Sequence, residues 1–256
     1  MNGHRPRKRF GQHFLTDPGV IEAIVGAVAP AKDDVIVEIG PGRAAITRSL
    51  AARAGTLHAI ELDRDLAVRL RRDFAADSHV RIHQADALGF DYASLGPALR
   101  IVGNLPYNIS TPLLFRLLEC MENIVDMHFM LQKEVVDRMA AAPGSKAYGR
   151  LGIMLGCHFQ IDALFDVDRL AFDPPPEVTS AVVRLVPLPS GTYVIEDEAR
   201  LSRLVAQAFS QRRKTIRNSL RDVADEAVLE SVGIDPGLRP EAIAIADYVR
   251  LANTLE

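Results

Sequence analysis

The segment that decides the fold is Val35-Ile36-Val37-Glu38-Ile39-Gly40-Pro41-Gly42-Arg43-Ala44-Ala45. It begins with a short apolar run typical of a buried strand, and its last six residues have the form G-x-G-x-x-A. A helix with Ile46 and Leu50 on its apolar face is predicted to follow. Small residues at such a strand-to-helix turn let the backbone approach a bound nucleotide closely. The motif is weak when it stands alone, so its interpretation depends on the flanking sequence.

Short apolar strands alternate with helices along most of the chain. Further strands are predicted at residues 56–62, 80–83, 100–103, 127–131 and 181–186, and helices at 66–74, 113–120, 134–142 and 150–159. This alternation predicts an α/β fold with a doubly wound parallel sheet. After residue 189 only helical periodicity remains, so we expect an α/β domain at residues 1–189 and a small all-α domain at residues 190–256.

Two acidic residues follow the next two predicted strands. Glu61 lies 21 residues after Gly40, a spacing at which a carboxylate can accept hydrogen bonds from a ribose diol, and Asp86 is placed to meet an adenine amino group. A dinucleotide and S-adenosylmethionine both fit this pattern. Pro41 removes a backbone donor that would cradle pyrophosphate, and Glu38 would repel pyrophosphate but suits a cationic sulfonium. The loop therefore favours S-adenosylmethionine.

The stretch Asn104-Leu105-Pro106-Tyr107 directly follows the fourth predicted strand. An amide can both accept from and donate to an exocyclic amine, a proline fixes a turn, and a tyrosine offers a flat face for a base. The plain alternative is a strand-to-helix turn in which asparagine and proline only shape the backbone. Together with the glycine loop and the two acids, this stretch indicates an enzyme that methylates an amine.

Composition limits the other classes. The chain has 256 residues, of which 48% are hydrophobic and 25% charged, with a net charge of −3. No apolar run approaches the roughly 18 residues of a membrane span, and we expect no signal peptide. The two cysteines, Cys120 and Cys157, are too isolated for a disulfide framework or a metal site. These features predict a cytoplasmic protein without a bound metal.

Basic residues are concentrated in two places. One cluster is N-terminal (Arg5, Arg7, Lys8, Arg9), and a second, without an intervening acid, comprises Arg212, Arg213, Lys214, Arg217 and Arg221. The spacing of the second cluster predicts a basic stripe along one helical face that binds RNA phosphates. The alternative for such a run is an ordinary solvated face.

Eight blocks, in this order and spacing, resemble the small-subunit ribosomal RNA adenine dimethyltransferases nearly end to end. They are residues 9–15 (RFGQHFL), 38–42 (EIGPG), 61–63 (ELD), 103–110 (GNLPYNIS), 130–135 (MLQKEV), 146–151 (KAYGRL), 172–176 (FDPPP) and 211–215 (QRRKT). The resemblance implies a Rossmann-like class I methyltransferase sheet. It also implies S-adenosylmethionine-dependent N6,N6-dimethylation of two adjacent adenosines near the 3′ end of 16S rRNA, late in small-subunit assembly.

The resemblance also implies site residues. Cofactor contacts would fall on His13, Leu15, Gly40, Glu61, Asp86 and Asn104, although other members carry asparagine at the position of His13. We expect Asn104 Oδ1 and the Leu105 carbonyl to accept the hydrogens of the target amine. Pro106 would fix the turn between Leu105 and Tyr107. Tyr107 and Phe172 would stack on a base that has left its own stack. For Phe172 the alternative is a core anchor beside a proline-rich turn.

Three rival functions remain open. The sister family that dimethylates an adenine of 23S rRNA shares the fold, but residues 146–151 and 211–220 favour the small-subunit enzyme. A non-catalytic RNA-binding assembly factor would not need Glu61, Asp86 and the 104–107 stretch. An NAD-dependent oxidoreductase lacks a hydride-transfer constellation. We therefore expect a monomeric enzyme that acts on 16S rRNA within the immature small ribosomal subunit.

Overall fold

The computed structural model describes residues 13–211 and 213–255. The N-terminal basic cluster and Arg212 lie outside the described residues. By its internal contacts the chain divides into two compact units. The first contains residues 13–136 and Asp162–Pro187, and the second contains Asp137–Ile161 and the described residues from Leu188 onward.

This division is discontinuous, unlike the single boundary predicted near residue 189. The segment 137–161 joins the later helices because its apolar residues, among them Ile153, Met154 and Cys157, belong to the core cluster of the second unit. A change of composition along the chain cannot reveal that an internal segment packs with helices that come later in the sequence. The folding domains 1–189 and 190–256 stay a prediction.

Nine strands and ten α-helices make up the described chain. The strands are β1 (Phe14–Leu15), β2 (Val35–Ile39), β3 (Thr56–Glu61), β4 (Val80–Gln84), β5 (Leu99–Asn104), β6 (Ile124–Gln132), β7 (Phe159–Val167), β8 (Phe172–Asp173) and β9 (Ser180–Pro187). The helices are α1 (Pro18–Val28), α2 (Thr47–Arg53), α3 (Arg64–Asp73), α4 (Ser110–Leu118), α5 (Lys133–Met139), α6 (Arg150–Gly156), α7 (Glu198–Ala208), α8 (Ile216–Leu220), α9 (Glu226–Ser231) and α10 (Ile245–Thr254).

The first unit is built on a seven-stranded sheet in the order β4-β3-β2-β5-β6-β9-β7. The strands from β4 to β6 pair in parallel, and β9 runs antiparallel to β6. The predicted α/β sheet is confirmed. Parallel pairing brings the carboxyl ends of β2, β3, β4 and β5 to one edge, where ligands bind in open α/β sheets. A separate antiparallel pair joins β1 to β8, with Leu15 opposite Phe172.

Local capping explains where α1 begins, and several predicted boundaries differ from the structure by a few residues. Asp17 caps α1, because its side chain accepts from the N–H groups of Gly19 and Val20 at 2.8 and 3.0 Å. Helix α4 begins at Ser110 and not at residue 113. The helix predicted to reach residue 159 ends at Gly156, and β7 follows at the edge of the sheet. The residues of β7 are mostly exposed or partly exposed between two buried ends, so this edge strand gives only a weak apolar signal.

The described residues of the second unit form helices and the turns that connect them, apart from the start of β7. Helices α7 and α9 are capped by Asp197 and Asp225, whose side chains accept from backbone N–H groups of the first turn. Its core cluster includes Leu201, Leu204 and Tyr248. Among the described residues, no helix is long and apolar enough to cross a membrane.

Arg100 holds several segments of the first unit together, at the edge of the sheet opposite the carboxyl ends of the parallel strands. Its guanidinium forms two hydrogen bonds to the carboxylate of Asp126, at 3.0 and 2.8 Å, and a third to Asp34 at 2.8 Å. It also donates to the Val28 carbonyl at the end of α1, at 2.6 Å. The Asp126 side chain is only 3% exposed, so the guanidinium of Arg100 compensates a buried carboxylate.

We expect Arg100→Leu to lower the free energy of unfolding by about 3–5 kcal/mol, because it leaves a buried carboxylate uncompensated. Arg53→Leu, which removes an exposed ion pair with Glu22, is the matched control and should change stability by less than about 1 kcal/mol. Urea unfolding of both variants measures the difference. Equal losses would show that the Arg100 network is not a buried constraint.

Candidate active site

One cavity lies at the carboxyl ends of the parallel strands, entirely within the first unit. It is lined by residues 13–15, 38–43, 45, 46, 60–63, 66, 85–87 and 104–109. This lining contains every residue predicted to contact the cofactor, namely His13, Leu15, Gly40, Glu61, Asp86 and Asn104. The structure therefore brings these six together, as strand ends of a parallel sheet should be brought together.

The glycine loop after β2 has a backbone that only glycine adopts without strain. Gly40 and Gly42 have φ angles of +70° and +58°. A Cβ on Gly42 would lie 3.2 Å from two ring atoms of Phe14, so the absent side chain also leaves room for β1. Because neither glycine has a side chain, the loop presents bare backbone to the cavity at these two positions.

Glu61 joins the glycine loop to the end of β3. Its Oε2 accepts from the Gly42 N–H at 3.1 Å, and its Oε1 accepts from the Asp63 N–H at 2.8 Å. Each carboxylate oxygen can accept more than one hydrogen bond, so these contacts leave capacity for a ligand hydroxyl. Glu61 therefore positions the glycine loop, in addition to the ligand contact that the sequence predicts for it.

Asp86 lies at the rim of the cavity. Its side chain is exposed, and its Oδ1 accepts from the Leu88 N–H at 2.9 Å. This short-range bond fixes the carboxylate at the end of the segment that follows β4. An acceptor held in this way can meet an amino group at the cavity mouth.

Glu38 is a buried acid within the cavity lining. Its side chain is 2% exposed, and its Oε2 has no hydrogen-bond partner among the described residues. Burial raises the pKa of Glu38 to about 8, and the neighbouring Glu61 carboxylate adds to the rise. The carboxyl group is therefore mostly protonated at neutral pH unless a cation binds beside it.

The Asn104 amide is oriented by the segment that precedes β1. Its Nδ2 donates to the backbone carbonyl of His13 at 3.1 Å. A carbonyl oxygen can only accept, so the amide nitrogen must face His13, and Oδ1 is directed away from it. The amide oxygen is thereby left to accept a hydrogen bond from a ligand.

Two aromatic rings stand beside this amide. The phenol of Tyr107 is hydrogen-bonded to the Ser180 hydroxyl at 2.9 Å, and burial raises the pKa of Tyr107 above its usual value. The His13 ring lies 6.2 Å from the Tyr107 ring between centroids, with planes inclined by 23°. Both rings line the cavity.

Phe172, the other residue predicted to stack on the target base, is placed elsewhere. It is 4% exposed, lies in β8 opposite Leu15, and belongs to the core cluster of the first unit. It is absent from the cavity lining. In this conformation the side chain is a core anchor, and stacking would require the ring to leave that cluster.

Comparison with known proteins identifies the family. A family model described as "Ribosomal RNA adenine dimethylase" matches residues 3–256. The chain belongs to the ribosomal RNA adenine dimethylase family. It is 56% identical over its full length to "Ribosomal RNA small subunit methyltransferase A" of Chromobacterium violaceum, of which it covers 97%. It is 54% identical to the protein of that name from Aromatoleum aromaticum, over 99% of this chain and 95% of the relative.

Two solved structures are similar to this dimethylase. A dimethyladenosine transferase from Plasmodium falciparum matches with a TM-score of 0.82 and 24% identity, over 93% of this chain and 96% of the other. The 23S rRNA methyltransferase ErmE matches with a TM-score of 0.75 and 26% identity, over 94% of this chain and 99% of the other. These matches confirm a class I methyltransferase fold with a helical C-terminal part.

The dimethylase family is S-adenosylmethionine-dependent, and the cavity fits that cofactor. The buried, unpartnered oxygen of Glu38 suits the positive charge of the methionyl part. Glu61 has acceptor capacity for a ribose diol, and Asp86 for an adenine amino group. The left-handed glycines of the loop permit close approach of the backbone.

The second basic cluster of the dimethylase does not form the predicted helical stripe. Helix α8 spans only Ile216–Leu220, so Arg213 and Lys214 lie in the preceding turn, and Arg221 caps the helix end. Acids that follow in the sequence also reach the cluster, because Arg217 pairs with Glu226 at 3.1 Å and Arg221 pairs with Asp222 at 3.5 Å. Arg213 and Lys214 are exposed and have no acidic partner among the described residues.

One contact at the site was missed from the sequence. The Arg43 guanidinium lies 4.2 Å from the centroid of the Phe14 ring and pairs with Asp173 at 3.0 Å. It thus links the glycine loop to both strands of the β1–β8 pair. Arg43 was visible within the loop motif, but no local pattern indicates a partner 130 residues away.

Stability should depend on pH through Glu38. Its pKa is raised from 4.5 to about 8 on folding, so its stabilising contribution is complete below pH 4.5 and is lost as pH rises through about 8. Glu38→Gln should remove this dependence and make the cofactor-free protein more stable than wild type at about pH 9, by on the order of 3 kcal/mol. Urea unfolding between about pH 5 and pH 9 measures this.

The matched control is Glu22→Gln, which alters an exposed glutamate on α1. It should leave the pH profile of the wild type unchanged. Parallel profiles for wild type and Glu38→Gln would refute the buried, protonated state of Glu38.

Proposed function

We propose that this protein transfers methyl groups from S-adenosylmethionine to N6 of two adjacent adenosines near the 3′ end of 16S rRNA, producing N6,N6-dimethyladenosine at both. The family match and the relatives named as small-subunit rRNA methyltransferases support ribosomal RNA as the substrate. The observation that carries the chemistry is the Asn104 amide, whose oxygen is freed by the bond from its nitrogen to His13.

The target nitrogen needs activation, because its lone pair is delocalised into the adenine ring. Asn104 Oδ1 and the Leu105 carbonyl accept the two amine hydrogens, which favours a pyramidal nitrogen with a localised lone pair. When bound, S-adenosylmethionine supplies an electrophilic methyl group on a positively charged sulfur. The protein contributes position and electrostatics, and the amine loses its proton to water after transfer.

The surroundings of this amide suit that task. Leu105 is buried, and its backbone N–H donates to the Met130 carbonyl at 3.2 Å, so the peptide that follows Asn104 is anchored to β6. Pro106 fixes the next turn, and Ser110 donates to the Tyr107 carbonyl at 3.0 Å. An acceptor pair on a rigid turn meets the amine without further reorganisation.

Transfer of the second methyl group imposes one more condition. A monomethylated amine has a single hydrogen, so one of the two acceptors must tolerate a methyl group in its place. The Leu105 carbonyl belongs to a peptide segment anchored to β6, whereas Asn104 Oδ1 ends a side chain that is only half-buried and has more room beside it. We infer that the Leu105 carbonyl holds the remaining hydrogen in the second round.

The proposed function is tested by methyl transfer to purified subunits. Small ribosomal subunits that lack the modification, mature small subunits and 23S rRNA are each incubated with the protein and labelled S-adenosylmethionine, and the modified nucleosides are identified by mass. We expect N6,N6-dimethyladenosine only with the unmodified small subunits. Label on 23S rRNA alone, the reaction named for ErmE, would support the alternative acceptor. No label on any RNA would favour a non-catalytic assembly factor.

We also propose that Arg213 and Lys214 contact RNA phosphates, with Arg217 and Arg221 in a weaker role because acids already pair with them. The Arg212 side chain, which lies outside the described residues, belongs to the same proposal. We further propose that the protein acts on the immature small ribosomal subunit, as a monomer and in the cytoplasm.

Replacing both Arg213 and Lys214 with alanine should weaken RNA binding and reduce the slope of log K against log salt by about 1.5, since each phosphate contact contributes about 0.7–0.9. Arg250→Ala removes a cation that already pairs with Asp247 and serves as the control. Filter binding across a salt series measures both slopes. An unchanged slope in the double variant would place the RNA interface elsewhere.

A further inference from the structure

We propose that the Ser180 hydroxyl is a positioning group for the acceptor base, because it holds the Tyr107 ring in place, and that the second methyl transfer depends on this bond more than the first. The inference rests on the proposed function and deepens it, since it assigns to β9 a residue that acts on the target adenine through Tyr107. None of the eight sequence blocks that carry the family resemblance includes Ser180.

Ser180 contacts Tyr107 but not the cavity. The two hydroxyl oxygens lie 2.9 Å apart, although the residues are 73 positions apart in the sequence. Ser180 is 1% exposed and absent from the cavity lining, whereas Tyr107 is half-buried and lines the cavity. Among the described residues, the Ser180 hydroxyl has no second side-chain partner. An effect of Ser180 on a bound base must therefore pass through the Tyr107 ring.

This bond holds the Tyr107 ring at its tip, while other bonds hold its backbone. The Tyr107 carbonyl accepts from the Ser110 hydroxyl at 3.0 Å, and the Ile109 N–H donates to the Pro106 carbonyl at 3.1 Å. A backbone fixed in this way still leaves the side chain free to change its rotamer. The bond to Ser180 selects one rotamer and so gives the ring one defined plane on which a base can stack.

Strand β6 aligns the stacking ring with the amine acceptors. Ser180 begins β9 and lies opposite Gln132 at the end of β6. Two residues earlier on β6, the Met130 carbonyl accepts from the Leu105 N–H at 3.2 Å. The acceptor turn and the tip of the Tyr107 ring are therefore both fixed to the same end of one strand.

The two rounds of transfer depend differently on the ring. In each round the sulfur–methyl bond breaks as the nitrogen–methyl bond forms, and the nitrogen then releases a proton to water. The unmethylated amine can donate two hydrogens, to Asn104 and to Leu105, but the monomethylated amine can donate only one. Stacking then carries a larger share of the orientation of the base. A loosened ring should slow the second transfer more than the first, so that monomethylated product accumulates.

Four variants isolate this bond. Ser180→Ala removes the hydroxyl that holds the ring, and Tyr107→Phe keeps the ring but removes the phenol oxygen. The third variant combines both changes. Tyr248→Phe is the matched control, because Tyr248 also loses a buried phenol bond, to the Pro240 carbonyl at 2.8 Å, but lies in the second unit and outside the cavity lining.

The readout is the ratio of N6-methyladenosine to N6,N6-dimethyladenosine, measured by mass on unmodified small subunits at equal total methyl incorporation. Ser180→Ala and Tyr107→Phe should each raise this ratio by about tenfold, the effect of one hydrogen bond. The double variant should match the single ones, because all three lack the same bond. Tyr248→Phe should keep the wild-type ratio.

A purely structural role would lower the amount of active enzyme and leave the product ratio unchanged. An unchanged ratio in either single variant would therefore overturn the positioning role. Effects of the two changes that multiply in the double variant would overturn it as well, because they would show that Ser180 and Tyr107 act independently.

A second measurement does not depend on catalysis. N6-methyladenosine 5′-monophosphate is titrated into the full chain saturated with S-adenosylhomocysteine, and the ring protons of Tyr107 are followed by NMR. We expect them to shift upfield in the wild type, and the Kd to weaken by about tenfold in Ser180→Ala. An unchanged Kd would overturn the inference. A weakened Kd, in a protein whose wild type transfers no methyl group to any RNA, would defeat the proposed function and leave the role of Ser180 standing.

Discussion

The hydrogen bond from Asn104 Nδ2 to the His13 carbonyl, 3.1 Å long, is the interaction on which the proposed chemistry depends. It spans 91 residues and gives an otherwise symmetrical amide one defined orientation. The His13 segment can supply this carbonyl because the chain just after it is fixed: β1 pairs with β8, and the Thr16 N–H donates to the Ala171 carbonyl at 2.8 Å. The acceptor site is therefore assembled by a strand pair that lies outside the main sheet.

Around this bond, the parallel sheet concentrates acids at one edge, and the protein tolerates the resulting electrostatic penalty. Burial keeps the Glu38 carboxyl mostly protonated at neutral pH, and Glu61 remains in place through two backbone N–H groups. A cationic ligand relieves the unfavourable burial of charge, so the site that destabilises the free protein is suited to a sulfonium cofactor. Such local conflict between stability and function is expected at a ligand site.

The strand-end residues could be predicted from the sequence because their positions follow from local pattern. Gly40, Glu61, Asp86 and Asn104 each come directly at or after an apolar run, and parallel pairing then brings them together. Contacts between distant segments could not be predicted in this way. The ring of His13 beside Tyr107, the burial of Phe172 and the short length of α8 depend on tertiary packing, which spacing along the chain does not encode.

The orientation of the Asn104 amide is tested most directly by the pH dependence of Asn104→Asp. An ionised aspartate has no hydrogen to give to the His13 carbonyl, whereas a protonated one can donate to it and still present an acceptor oxygen to the amine. We predict that the ratio of the variant's kcat/KM to that of wild type rises as pH falls from about 8 to about 6, approaching tenfold per pH unit. A ratio that stays constant with pH, or full activity at about pH 8, would contradict the account.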